Sequence, residues 1–321
     1  MAKTIYIVAS CTDRKRERPP AALRLRSVVP HAADDRAERW WERLHDHRSP
    51  TTVASDLYVG DHWTVVRSLP EVARAAGYGA ELWVTSAGYG LMPASASVRP
   101  YSATFGGRHP DSVAPNGMGE LRTSVNRAWW TALCGFSSTR GVPRSLAQLA
   151  QDHPGAWILV VASPDYVSAM SNDLLAARKH LKRAAHLLVI SSVTGSELGE
   201  LATNIIPSDA RLQAAVGGAL LSLHARVARK VLQEAHRWDL DADVVKPRYE
   251  RLLARSSAPA RANRDKLSDA EVRRFIRALR VRQWDVTHTR LLRQLREDGH
   301  ACEQSRFREL FFKEMRSRDV H

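Results

Sequence analysis

The sequence predicts a three-layer α/β domain, a parallel sheet covered by helices on both faces, followed by a C-terminal helical region, and three observations predict it. Four short apolar or β-branched runs recur between residues 4 and 190, and helical patterning separates each from the next. The runs are apolar almost throughout rather than alternating, as strands buried on both faces require. Beyond residue 264 the apolar spacing is helical only.

Thr4 to Ala9 is the first buried strand, and it runs into the polar loop Ser10-Cys11-Thr12-Asp13-Arg14-Lys15. Ala54 to Ala76 carries helical spacing through Leu57, Tyr58, Val65, Val66, Leu69 and Val72, with Pro70 expected to open a second helical segment. Gly77 and Gly79 stop this pattern before the strand Leu82-Trp83-Val84, which empties into a long loop, Thr85 to Pro93 and on to Phe105, dense in glycine, proline and aromatics. Met118 to Cys134 is helical by pattern. Trp157 to Val161 is the third strand and ends at Ser163-Pro164-Asp165, Leu174 to Arg183 is a short basic helix, and Leu187 to Ile190 is the fourth strand, ending at Ser191 to Gly195. Pro207 to His236 reads as one long helix, interrupted only by Gly217-Gly218.

These elements divide the chain into an α/β domain over 1–240, a linker region over 241–264 that is richest in Ser, Ala, Pro and Arg from Ser256 to Arg264, and a helical region over 265–321. The last region holds three expected helices, Ser268 to Val281, His288 to Asp298 and Glu303 to Arg316. Leu291, Leu292 and Leu295, then Gly299, then Phe307, Leu310 and Phe311 follow the helix, glycine turn and helix form of a DNA-binding helix-turn-helix, a form shared by small bundles that touch no DNA.

The formal charge is +14, and the stretch from Lys246 to His321 holds 20 basic against 11 acidic side chains, so most of the excess lies in the last quarter. Such an imbalance favours a polyanion through counterion release, with double-stranded DNA the expected partner. A membrane is not expected: the arginines are interspersed with acids, and no apolar run approaches the ~20 residues of a spanning helix. The first residues turn polar too soon for a signal segment, so the protein is expected to be cytoplasmic. Cys11, Cys134 and Cys302 stand far apart, which supports neither a disulfide framework nor a zinc site, and His45-Asp46-His47 lies in a polar, Arg-rich stretch. No metal and no other cofactor is expected.

Ligands on parallel sheets bind beyond the carboxyl ends of the strands. Those ends hold Asp13 and Lys15, and nearby loops add Asp56 and Asp111, carboxylates able to align water or stabilise a cationic sugar, with Lys15 a phosphate ligand or an amine nucleophile. Asp56 is the first candidate for catalysis, Asp13 the second, and Lys15 joins them. Cys11, Ser86, Gly88, Tyr89, Tyr101, Phe105 and Asp111 are candidates for a base pocket, the aromatics as stacking walls. Arg99 and Arg122 are candidate phosphate or leaving-group contacts, and Arg273, Arg277, Arg280, Arg290, Arg293 and Arg306 candidate DNA contacts. Each carboxylate has an ordinary alternative as a cap, an ion pair or a turn former, and buried aromatics are the ordinary alternative for the loop. No Gly-x-x-x-x-Gly-Lys-Ser/Thr, Gly-x-Gly-x-x-Gly or Gly-x-Ser-x-Gly motif is present, which sets aside ATPase, dehydrogenase and serine hydrolase readings. A metal nuclease, a transglycosylase and a non-catalytic DNA-binding protein remain open.

Ser10 to Lys15, Ala54-Ser55-Asp56-Leu57-Tyr58-Val59-Gly60-Asp61, and Ser86-Ala87-Gly88-Tyr89-Gly90-Leu91-Met92-Pro93 with Pro100-Tyr101 resemble a superfamily that includes the base-excising domain of archaeosine synthase and peroxide-stress YaaA-like proteins. The resemblance spans roughly residues 1–235 and is strongest toward bacterial antiphage DNA glycosylases that remove hypermodified bases. It implies a three-layer sheet like that of uracil-DNA glycosylases, a flipped-base pocket, and excision of a base such as glucosylated hydroxymethylcytosine from phage DNA to leave abasic sites. The Gly-Gln-Asp-Pro-Tyr run with which uracil glycosylases activate water is missing, so no catalytic residue is carried over from them and uracil is not the expected substrate.

Overall fold

The computed structural model describes residues 3–28, 35–115, 117–136, 141–193, 196–257, 265–282 and 286–316. Strand β1 (Lys3–Ser10) is the hub of the sheet, because Ile5 to Ala9 are buried and pair in parallel on both sides. The chain leaves it through α1 (Asp35–Asp46), the two-residue β2 (Thr52–Val53), α2 (Ala54–Leu57) and α3 (Asp61–Ala75). It returns as β3 (Tyr78–Ser86) and folds back as β4 (Gly90–Pro93). Next, β5 (Ser97–Val98) pairs antiparallel with β2. Helices α4 (Leu121–Gly135) and α5 (Leu146–Asp152) lead to β6 (Trp157–Val161), and α6 (Pro164–Ala169) and α7 (Ser171–His180) to β7 (Leu187–Ser191). Then come β8 (Ile205–Pro207), α8 (Gln213–Val216), α9 (Leu223–Glu234) and α10 (Ala242–Ala254).

The six-stranded sheet has the order β4-β3-β1-β6-β7-β8 and is parallel except for β4. From β1 the chain crosses through α3 to one side, and from β6 it crosses through α6 and α7 to the other. Right-handed crossovers therefore put α3 on one face of the sheet and α7 on the opposite face, giving the three layers expected. Helix α9 packs on α3, while α5 packs on α7 and α4 on α6.

The four expected strands form where they were expected. Four details differ. Pro70 lies inside an unbroken α3, its ring buried against the core, which offsets the backbone bond it cannot donate. The loop after Leu82-Trp83-Val84 is partly a hairpin, with Ser86 opposite Gly90 and Val84 opposite Met92, reversed at Ala87-Gly88-Tyr89. The expected long helix over 207–236 is split, since Gly217 and Gly218 take left-handed backbone angles (φ 68° and 77°) and end α8 before α9 begins. Finally, the segment expected as linker holds α10, which packs on β8, and the chain divides into compact units at 1–259 and 260–321. Residues 258–264 of that segment, and Thr194-Gly195 at the fourth strand end, lie outside the described residues.

The second unit contains β9 (Asp265–Lys266), α11 (Asp269–Arg282), α12 (His288–Glu297), β10 (His300–Ala301) and α13 (Gln304–Arg316). Ser268 and Glu271 cap α11 reciprocally: the Glu271 carboxylate accepts the Ser268 N–H at 2.7 Å, and the Ser268 hydroxyl accepts the Glu271 N–H at 3.4 Å. Thr287 caps α12. Val272, Ile276, Leu291, Leu295, Phe307 and Leu310 build a core of its own.

Candidate functional site

Adjacent strands β1 and β6 send the chain in opposite directions, so their carboxyl ends flank a topological switch point. Cys11, just after β1, and Tyr166, in α6, meet across it with Sγ 3.2 Å from Oη. The chain then turns so that Lys15 bridges to Tyr58. The Lys15 ammonium sits 4.5 Å above the Tyr101 ring and 5.8 Å from that of Tyr58, and donates to the carbonyls of Thr12 (3.3 Å) and Asp13 (3.4 Å). Among the described residues no carboxylate pairs with it. Burial lowers its pKa from the usual 10.5, against the opposing pull of Cys11, Asp13 and Asp111.

Beneath the lysine lies a chain of hydroxyls. Ser86 Oγ accepts the N–H groups of Gly88 (2.9 Å) and Tyr89 (3.0 Å), so its own proton goes to Tyr101 Oη at 2.5 Å, and Tyr101 donates on to Tyr58 Oη at 2.9 Å. Burial raises the pKa of both tyrosines well above 10, which keeps them neutral donors. Gly88 is needed because a Cβ there would overlap the Tyr101 ring.

The aromatic loop belongs to the core. Tyr101 and Phe105 are 0 % exposed, Phe105 packs edge-on against Tyr166 at 4.9 Å, and Tyr89 Oη accepts the Arg99 N–H at 2.9 Å. The stacking walls expected of these three are therefore filled by protein contacts.

The carboxylates separate clearly. Asp111 is fully buried and held by the Arg26 guanidinium at 2.8 Å through both oxygens, by the Arg26 N–H at 3.0 Å and by the Ser102 hydroxyl at 2.7 Å. Burial pushes its carboxyl up, but these partners outweigh it and hold the pKa at about 2. Asp111 thus anchors a loop and is a poor base. Asp56 pairs with Arg67 of α3 at 3.8 Å, half-exposed, and is not among the carboxylates acting on Lys15. Asp13 is exposed, 3.5 Å from His109 Nε2. His109 Nδ1 accepts the Asp111 N–H at 3.0 Å, so the proton of the neutral ring sits on Nε2 and faces Asp13. Arg122 reaches Asp165 (2.9 Å) and the Phe105 carbonyl (2.7 Å) at the rim, whereas Arg99 is turned to the Leu44 carbonyl at 2.9 Å.

The expected grouping of Lys15, Cys11, Ser86, Gly88, Tyr101 and Asp13 is thus brought together, and Asp56 and Arg99 are not. Tyr58, Tyr166, His109 and Asp165 were not among the expected site residues, although Tyr58 lies two residues from Asp56 and Asp165 and Tyr166 lie at a recognised strand end. A second cluster went unread: His62 donates to the Ser10 carbonyl at 3.4 Å, and His224 shares a 2.9 Å bond with the Ser208 hydroxyl. Burial lowers both pKa values, that of His224 to about 4 with a contribution from His62. Among the described residues no group of three or more His, Cys, Asp or Glu is placed to hold a metal.

In the second unit, Arg273 and Arg277 face Glu314 at 3.8 and 3.6 Å, and Arg306 is bound to Asp269 at 2.6 Å and to the Leu267 carbonyl. These three tie the unit together. Arg290 and Arg293 are exposed on α12, and the Arg280 side chain lies outside the described residues.

Comparison with protein-family models, with curated proteins and with solved structures found no match to this chain.

Proposed function

We propose that this chain is a DNA glycosylase that excises a modified base, with glucosylated hydroxymethylcytosine as the candidate, from phage DNA in antiphage defence. The observation that carries the reading is the seat of Lys15: an amine of weakened proton affinity at the switch point of a parallel sheet, beside the Asp13–His109 pair and above neutral hydroxyl donors. Those are the requirements for breaking an N-glycosidic bond. Lys15 gives up a proton, its Nζ forms a bond to C1′ as the C1′–N bond breaks, and the base departs with the electron pair and takes up a proton. Ring opening leaves a Schiff base, which water hydrolyses to free lysine and an abasic site.

The six-stranded, mostly parallel sheet supports the uracil-glycosylase-like architecture that the resemblance implies, and the helices beyond residue 260 support a helix-turn-helix-like grip on duplex DNA. Arg122, at the rim, meets a phosphate only by exchanging its Asp165 partner for it. With Tyr101 and Phe105 packed inward, the extruded base enters beside Lys15 rather than between rings.

The test is incubation, with EDTA present, on DNA carrying glucosylated hydroxymethylcytosine and on unmodified DNA, reading free base by mass spectrometry and abasic sites by alkaline cleavage. Release from modified DNA alone supports the reading. Binding without release makes the chain a DNA-binding protein of the stress-response kind, and strand breaks appearing only when magnesium is restored make it a nuclease.

A further inference from the structure

Helix α13 has two faces. Phe307, Leu310 and Phe311 are buried in the core of the second unit, packed against α11 and α12. Ser305, Arg308, Glu309, Phe312, Lys313 and Arg316, spaced three and four apart, line one open groove along the opposite side. Phe312 is 40 % exposed on that side, with the Arg308 guanidinium 5.7 Å over its ring. Three cations and one carboxylate make the stripe basic, Glu309 pairing with Lys313 at 2.7 Å.

We infer that this outer stripe of α13 is a reading surface that docks in the major groove of duplex DNA. Arg273 and Arg277 of α11 and Arg306 at the start of α13 are spent within the unit on Glu314 and Asp269, whereas Arg308 and Arg316 on the stripe, like Arg290 and Arg293 of α12, have no ion pair among the described residues. A rigid helix carrying guanidinium groups matches a groove about 12 Å wide, where arginine reads guanine and an apolar side chain meets the thymine methyl. The deep, narrow major groove of duplex RNA admits no helix, which selects DNA. The six residues joining α12 and α13 are more than the usual turn of this motif, and within them His300–Ala301 pair with Asp265–Lys266.

This inference concerns binding and stands whether or not the chain excises a base. The full-length chain is titrated with a short unmodified duplex across a range of salt concentrations, as wild type, as R308A/R316A, and as R251A, a charge removed from α10 of the first unit. Loss of two guanidinium charges from the DNA contact lowers the slope of log K against log salt by up to about 2 and weakens binding at low salt. That change is expected for R308A/R316A and not for R251A, with unchanged circular dichroism and melting in both. F312A is expected to keep the slope and to narrow the difference between duplexes of different sequence. An unchanged slope in R308A/R316A overturns the inference, as does preference for duplex RNA over duplex DNA. Base release from modified DNA, measured separately, reports on the excision reading alone.

Discussion

At the scale of single residues, burial and partner geometry decide which ionisable group does chemistry. Lys15 has no carboxylate partner among the described residues and is desolvated, so its neutral amine becomes available below the 10.5 of an ordinary lysine. Excision is therefore expected to rise with pH and level off below that value. Lys15→Arg keeps the charge but removes the nucleophile, and is expected to slow excision roughly 10²-fold or more. Borohydride trapping on modified DNA checks this: wild type gives a covalent adduct and the variant gives none. Trapping retained in the variant would exclude Lys15 as the attacking amine. Asp56→Asn, by contrast, removes only an exposed pair worth about 0–1 kcal/mol, and is expected to leave excision unchanged. Asp111→Asn weakens a buried carboxylate held by Arg26 and Ser102, with an expected loss of about 1–3 kcal/mol in urea unfolding at pH 7. The sign follows from its depressed pKa. The stabilisation is complete above the unfolded value of 3.8 and disappears as pH falls toward about 2, so the difference between wild type and variant is expected to narrow across that window.

At the scale of elements, the turn joining β3 to β4 sets the height of Tyr101 and with it the seat of Lys15. Gly88→Ala forces the Tyr101 ring away, and overpacking of this kind costs about 1–3 kcal/mol. A lower melting temperature together with a Lys15 seat disrupted for excision is expected, and an unchanged melt would show that the ring has room to move. The same elements explain what sequence could and could not disclose. Runs such as Trp157 to Val161 are legible because strands buried on both faces are apolar throughout. Helix α10 reads as linker because Pro247 interrupts its pattern and the residues after it are rich in serine and proline; β8 is only Ile205-Ile206-Pro207, too short for a period. In the site, the blocks holding Lys15 and Ser86 were visible as strand ends. The pairing of Tyr58 with Tyr101, or of Cys11 with Tyr166, was not, because it depends on strand order rather than local pattern. The aromatic loop misled for a related reason: composition distinguishes a stacking wall from a core plug only once the space above Gly88 is known to be occupied.

At the scale of the whole molecule, the Lys15 seat and the basic stripe of α13 lie in units with separate cores. Lys15 and its hydroxyl chain draw on the larger core, whereas α13 is held by a small cluster around Leu295 and Phe307. Leu295 is fully buried there, and Leu295→Ala is expected to cost about 2–5 kcal/mol, enough to threaten so small a unit. Hydrogen exchange read by mass spectrometry is expected to show lost protection over 265–316 and wild-type protection over β1, β3 and β6. If excision resides with Lys15 and duplex affinity with α13, this variant is expected to lose affinity and salt dependence together, yet to approach wild-type turnover once DNA is raised to saturation. Turnover that stays low at saturation, with the first unit still protected, would mean that the second unit contributes to the chemical step as well as to capture.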